Sequence, residues 1–214
     1  MRNIIWQLFL ELLYPVSCCG CQQTGSYLCA HCYEHLEFFP LPIPIENEPC
    51  YLDQVWACAR YQWPLTQLIH AMKYQSVKGI GRFGGRLLFE TVTIPPIDAI
   101  TAVPLHSYRL RRRGFNQAEE IALSLAKLIQ RPYYPLLIKT KMTATQATSD
   151  KKARLSQLHD VFCWNAALRL TAPPHTCLII DDVFTTGATL NECARILKAQ
   201  GVTTIYGLTL SHEG

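Results

Sequence analysis

The chain has 214 residues, 49% of them apolar and 17% charged, with a formal net charge of +4. That is room for one α/β domain plus a small appendage, with the composition of an ordinary water-soluble globular protein. No stretch approaches the roughly 18–20 uninterrupted apolar residues of a membrane-spanning helix, so an integral membrane protein is not expected.

Residues 3–13 read as a short amphipathic helix packing on the body, stopped near Pro15. A signal peptide is a poorer reading. Arg2 is the sole basic residue ahead of the apolar run, Glu11 interrupts that run, and Pro-Val-Ser before Cys18 is a poor lipoprotein cleavage site. A cytoplasmic location is expected.

Ten cysteines are many for such a compartment, and five of them fall between Cys18 and Cys32. Clustering in CxxC pairs argues for metal rather than a disulfide scaffold. Cys18/Cys21 and Cys29/Cys32, joined by the short connector from Gln22 to Leu28, suit a closed tetrahedral structural Zn²⁺ site, with Gly20 letting the knuckle turn tightly. Cys19 is an alternative to Cys18, and His31 and His35 are competing ligands. Such a site holds metal for folding and has no open position for catalysis.

Pro40, Pro42, Pro44 and Pro49 mark a semi-rigid connector. The expected division is 1–50, a helix, zinc module and linker, and 51–214, the main domain. Charge divides the same way: residues 1–52 carry net −4 and the remainder net +8. The larger part is thus the candidate for anionic ligands.

In the main domain, Val55 to Tyr61 reads as a strand. Leu65 to Tyr74 reads as a helix with Leu65, Leu68, Ile69 and Met72 on one face, ending near Lys73, with Lys78 in the loop beyond. Gly79 to Phe89 is a second helix, weakened by Gly81, Gly84 and Gly85, which close helix packing explains as well as a ligand would. Ala99 to Val103 is a strand. The loop after it, Ser107 to Gly114, carries Arg109, Arg111, Arg112 and Arg113 just ahead of a helix from Phe115 to Leu128. Guanidinium groups and a helix N-terminus together make an anion site.

Tyr134 to Ile138 is a further strand, followed by the polar segment 139–159. Its composition is that of a functional loop, with Lys139, Lys141 and Arg154 closing over an anion. Val161 to Trp164 is a short strand or hood element, and Val202 to Leu210 the last strand.

The most informative stretch runs from Cys177 to Leu190. A buried parallel strand, Cys177 to Ile180, ends in Asp181 and Asp182. Thr185, Thr186, Gly187, Ala188 and Thr189 then lead into a helix through Leu190, Ala194 and Leu197. In open α/β sheets ligands bind outside the carboxyl ends of strands. The threonine hydroxyls and the N–H groups around Gly187 suit a phosphate at the helix N-terminus. Both acids must then turn away from it, toward ribose hydroxyls, directly or through hydrated Mg²⁺.

This segment resembles the phosphoribosyl pyrophosphate (PRPP) motif of type I phosphoribosyltransferases. Three other stretches extend the resemblance: Leu68-Ile69-His70-Ala71-Met72-Lys73-Tyr74, the run from Val103 through Arg113-Gly114-Phe115-Asn116-Gln117-Ala118, and Thr143-Ala144-Thr145-Gln146 with Arg154. With the N-terminal double CxxC, nearly the whole chain is similar to the ComF/GntX family. The resemblance implies an α/β fold, a type I phosphoribosyltransferase-like parallel sheet flanked by helices, behind a four-cysteine zinc module. It implies PRPP and Mg²⁺ at Asp181, Asp182, Thr185, Thr186, Gly187, Ala188, Thr189, Arg109 and Arg113, with Asp181, Asp182 and Lys139 as candidate catalytic residues. It also implies a role in natural transformation. There Arg111, Arg112, Arg113, Lys73 and Lys78 would meet single-stranded DNA, Tyr74, Tyr108 and Phe115 would offer stacking faces, and the zinc module would dock a competence or recombination partner. The alternative is an active phosphoribosyltransferase whose acceptor the sequence does not name. Gln157, and Ser149-Asp150, depart from the family pattern in the flexible loop.

Overall fold

The computed structural model describes residues 15–39, 41–45, 48–75, 77–141 and 161–214. The expected helix at 3–13 and the loop positions Thr143, Ala144, Thr145, Gln146, Ser149, Asp150, Arg154 and Gln157 lie outside the described residues.

In chain order the elements are α1 (Ala30–Tyr33), β1 (Gln54–Arg60), α2 (Leu65–Tyr74), α3 (Gly79–Thr91), β2 (Ala99–Ala102), α4 (Ser107–Arg113), α5 (Gln117–Leu128), β3 (Leu137–Lys139), β4 (Phe162–Trp164), β5 (Thr176–Phe184), α6 (Ala188–Ala199) and β6 (Thr204–His212). The main sheet has the order β1-β6-β5-β2, with every neighbouring pair parallel. β3 and β4 form a separate antiparallel pair. The expected architecture, a parallel sheet flanked by helices beside a four-cysteine module, is the one observed.

Strand periodicity sorts β5 onto two cores. Leu178 and Ile180 face the α2, α3 and α5 side, with Leu68, Ile80 and Ile121. Cys177 and Ile179 face the α6 side, with Leu190, Ala194, Leu197 and Phe162. All four β5 residues from Cys177 to Ile180 are fully buried, which is why that run contains no polar residue.

The glycines of α3 answer to packing rather than to a ligand. A Cβ on Gly85 would lie 2.5 Å from Cβ of Ser124 and 2.7 Å from the carbonyl of Ile121, so α3 closes on α5 only without one.

One expectation is corrected. The segment from Ser107 is not a loop: it forms α4, which ends at Gly114 in the left-handed region (φ 83°). The semi-rigid proline-rich connector is also fastened to the main domain. Ile43 is buried and donates its N–H to the Val55 carbonyl, and Asn191 of α6 donates to the Pro49 carbonyl while accepting from the Tyr51 N–H. Proline blocks ladder bonds only at its own nitrogen, and β1 is an edge strand with room for such a neighbour. Among the described residues no helix is long and apolar enough to cross a membrane.

Candidate ligand site and metal centre

Both acids of the motif lie inside β5, which runs on to Phe184, rather than at its end. Asp181 pairs with Thr209 of β6, and Val183 with Ser211. The backbone N–H of Asp182 donates to Asp181 Oδ1 at 2.8 Å, which turns the two carboxylates to different neighbours.

Asp182 Oδ1 lies 2.9 Å from Lys73 Nζ, with 13% of the Asp182 side chain and 23% of that of Lys73 exposed. Burial lowers the Lys73 pKa, but Asp182 and then Asp181 outweigh it, so the net direction is up. Lys139 ends β3 with its ammonium 5.1 Å from the Phe162 ring centre. Burial first, then Arg109, lowers its pKa against the opposing effect of Cys193 and Asp181.

Arg113 donates to Gln117 Oε1 at 3.0 Å and its guanidinium lies 5.6 Å from the Tyr74 ring centre. Its charge is felt by Asp182, Arg109 and Arg112. Lys73 of α2 and Arg113 of α4 thus act on Asp182 and Lys139 of β3 on Asp181, with Arg109 acting on Lys139 and Arg113.

The loop after β5 is built as its residue types suggest. Gly187 caps α6 in the left-handed region (φ 73°), which an L side chain rarely adopts. Its carbonyl accepts from Asn191 N–H, and Thr186 Oγ1 accepts from Ala188 N–H. Ala188 is buried, Thr185 exposed, and Thr186 and Thr189 partly exposed, so the threonines line an open edge at the start of a 12-residue helix. N–H groups in the first helical turn have no intrahelical partner and favour an anion.

Arg111 and Arg112 are exposed on α4, with Tyr108 beside them 52% exposed and Tyr74 66% exposed. One placement differs from expectation. Phe115 is 7% exposed and sits in the core, so it offers no stacking face. Lys73 is engaged with Asp182. Lys78, in the turn ahead of α3, pairs with Glu120 at 2.9 Å. Two struts were not singled out from sequence. Asn116 Nδ2 donates to the Val103 carbonyl, fastening the α4–α5 corner to the end of β2, and buried Gln117 donates to the Met72 carbonyl beside Lys73. Asparagine and glutamine at a helix start read equally well as caps, so nothing local marked these distant partners.

Burial, and next to it the charge of Asp182, pushes the Asp181 carboxyl up to about 7. An unfolded aspartate titrates near 3.9. A raised acid pKa favours the native state while the proton is bound, so this contribution declines as pH climbs from about 4 to about 7. Asp181→Asn removes that decline. Urea unfolding at pH 4 and pH 8 should find the variant similar to wild type at the lower pH and more stable at the higher, by roughly 2–4 kcal/mol. Equal differences at both values would show that Asp181 does not titrate in this window.

The second cluster lies in the N-terminal module. The sulfurs of Cys18, Cys21, Cys29 and Cys32 all lie within 4.8 Å of one another, with Cys21 and Cys29 at 3.5 Å. Tetrahedral zinc with Zn–S near 2.3 Å sets sulfurs about 3.8 Å apart, so this donor set can hold such a metal. The knuckle is shaped by Gln22 N–H to the Cys18 carbonyl and Cys29 N–H to Cys18 Sγ. Cys19, His31 and His35 stand outside the cluster; His35 Nδ1 is instead hydrogen-bonded to the His31 carbonyl at 2.8 Å. The module does not stand apart, since Cys18, Leu28, Cys32 and Leu36 belong to the same core as Leu65, Leu68 and Ile69.

No family profile matches the chain. Among curated proteins, it is 32% identical to competence protein F of Haemophilus influenzae over 197 residues, 86% of this chain and 85% of that one. It is 28% identical to DNA utilization protein YhgH of Escherichia coli over 201 residues, 88% of this chain and 85% of that one. Likenesses to solved structures are weaker. A glutamine PRPP amidotransferase of B. subtilis, complexed with ADP and GMP, aligns at TM-score 0.39 and 15% identity, over 62% of this chain and 26% of that one. An adenine phosphoribosyltransferase of Thermoanaerobacter pseudethanolicus aligns at TM-score 0.38 and 14% identity, over 64% and 68%.

Proposed function

The chain belongs to the ComF-like family of competence protein F, and from that premise we propose that it is a DNA-handling protein of natural transformation that binds Mg²⁺-PRPP and single-stranded DNA on adjoining surfaces. The relatives' names, competence and DNA utilization, support the role. One observation carries the ligand: cationic side chains from α2, α4 and β3 gather on the two motif acids beside a threonine-lined helix start. That pattern suits a pentose bearing a phosphate at one end and a pyrophosphate at the other. Asp181 and Asp182 would take the ribose hydroxyls, Thr185, Thr186, Gly187, Ala188 and Thr189 the 5-phosphate, and Arg109, Arg113 and Lys139 the pyrophosphate. Mg²⁺ is ordinarily held by one or two carboxylates together with substrate phosphates, which these acids fit. Zinc on the four thiolates would be structural.

Exposed Arg111 and Arg112 beside Tyr74 and Tyr108 support the DNA surface, since single strands are held by cationic grooves with stacking rings. Residues 1–50 and 51–214 serve in this proposal as a zinc module and a ligand domain with a common core. Arg111→Ala/Arg112→Ala spares Arg113, which is braced by Gln117. Fluorescence anisotropy with a labelled oligonucleotide should show single strands preferred over duplex. The double variant should weaken binding about tenfold at low salt. It should also make the log–log salt slope shallower by about 1.4, because two phosphates are no longer neutralised. No binding at low salt, or an unchanged slope, would remove the DNA role.

A second reading, a working phosphoribosyltransferase, draws on Asp181 being held near neutrality, where a carboxylate acts as a general base. Pyrophosphate release that depends on one acceptor, and is lost in Asp181→Asn, would establish it.

A further inference from the structure

A cavity of about 400 Å³ lies between the four-cysteine module and α2, away from the motif loop. This is the size of a small-ligand pocket. Gln22 and Tyr27 line it from the module, and Gln67, His70 and Gln75 from α2 and its end. None of its described lining residues is an acid, a lysine or an arginine. Cys18 and Cys19 share that wall, Cys18 being one of the four clustered thiols, and a wall of amides, a phenol, an imidazole and sulfurs does not suit an isolated phosphate. It suits a neutral, flat, polar ring. Side-chain amides pair donor and acceptor as base edges do, and Tyr and His rings stack on bases.

The cavity is joined to the arginine surface by a chain of ring contacts. His70, in the cavity wall, has its ring 4.5 Å from that of Tyr74. Tyr74, 66% exposed, carries the Arg113 guanidinium at 5.6 Å. A strand whose phosphates follow α4 would pass Tyr74, whose ring meets that of His70 in the cavity wall. We propose that this cavity is a base pocket, taking one unstacked nucleobase of single-stranded DNA while α4 holds the neighbouring phosphates. The zinc module is then one wall of a nucleic-acid site. The inference rests on the DNA-binding reading above and adds to it a place for a base.

The test compares two labelled single strands of about ten nucleotides, one of thymidines and one abasic throughout, by anisotropy at low salt with the full chain. Wild type should prefer the thymidine strand about tenfold or more. Gln67→Ala and His70→Ala should each cut that preference about fivefold or more, leaving abasic-strand affinity and zinc content unchanged. Equal, salt-dependent binding of both strands by wild type would keep the DNA role and overturn the pocket. An undiminished preference in both variants would likewise overturn it. If neither strand binds, the DNA role falls and the pocket falls with it.

Discussion

Cys32→Ser is expected to abolish stoichiometric zinc and to unfold the N-terminal module. Structural zinc contributes roughly 10–16 kcal/mol of apparent binding free energy in isolated fingers at neutral pH, and removing one of four thiolates forfeits much of it. The consequence should spread beyond the module. Cys32 is fully buried in the core that also holds Leu65, Leu68 and Ile69 of α2, so its unfolding exposes that face. Metal analysis of the purified variant should fall from one zinc per chain to near none, with a lower thermal midpoint for the whole protein. Cys19→Ser is the matched control, because Cys19 lies next to Cys18 but outside the cluster. Full zinc in Cys32→Ser, with loss in Cys19→Ser, would reassign the ligands.

Lys73→Met should cost about 3–5 kcal/mol in urea unfolding at neutral pH, the usual penalty for stranding one partner of a buried pair. Asp182 would be left nearly enclosed, without the ammonium that now sits 2.9 Å away. Asp181 alongside makes that worse, since its charge and that of Asp182 oppose each other. Adding Asp182→Asn should recover most of the loss, because an amide carries no charge to strand. A single-variant cost below about 1 kcal/mol would put the pair in the class of exposed salt bridges.

These two sites differ in how they can be read from sequence. The four-cysteine cluster was legible because a CxxC turn carries its geometry within four residues, and two such turns around a seven-residue connector leave few arrangements. Cys19, His31 and His35 were open alternatives until backbone hydrogen bonds at the knuckle showed which thiols converge. The strand, the left-handed Gly187 and the helix of the motif were also legible, since each follows from local periodicity and turn chemistry. α4 was missed because three consecutive arginines show no apolar period, and the helix has no buried residue to produce one. Phe115 was misplaced for a related reason: an aromatic beside arginines reads equally as a stacking face or as an anchor, and packing against α5 and the sheet makes it an anchor.

Sequence by itself determined what is short-range: the cysteine cluster, the strand-loop-helix of the motif, the parallel α/β class and the basic bias of the larger part. Only the tertiary structure decided which charges meet. Lys73 and Asp182 are far apart in the chain, and their partnership arises because α2 packs across the sheet with its last turn over β5. The same packing opens the cavity against the four-cysteine module and sets Tyr74 between His70 of its wall and Arg113. Charge pairing and pocket shape depend on burial and on neighbours many residues away. A local pattern records which side chains are present, and the way the elements pack decides what each of them touches.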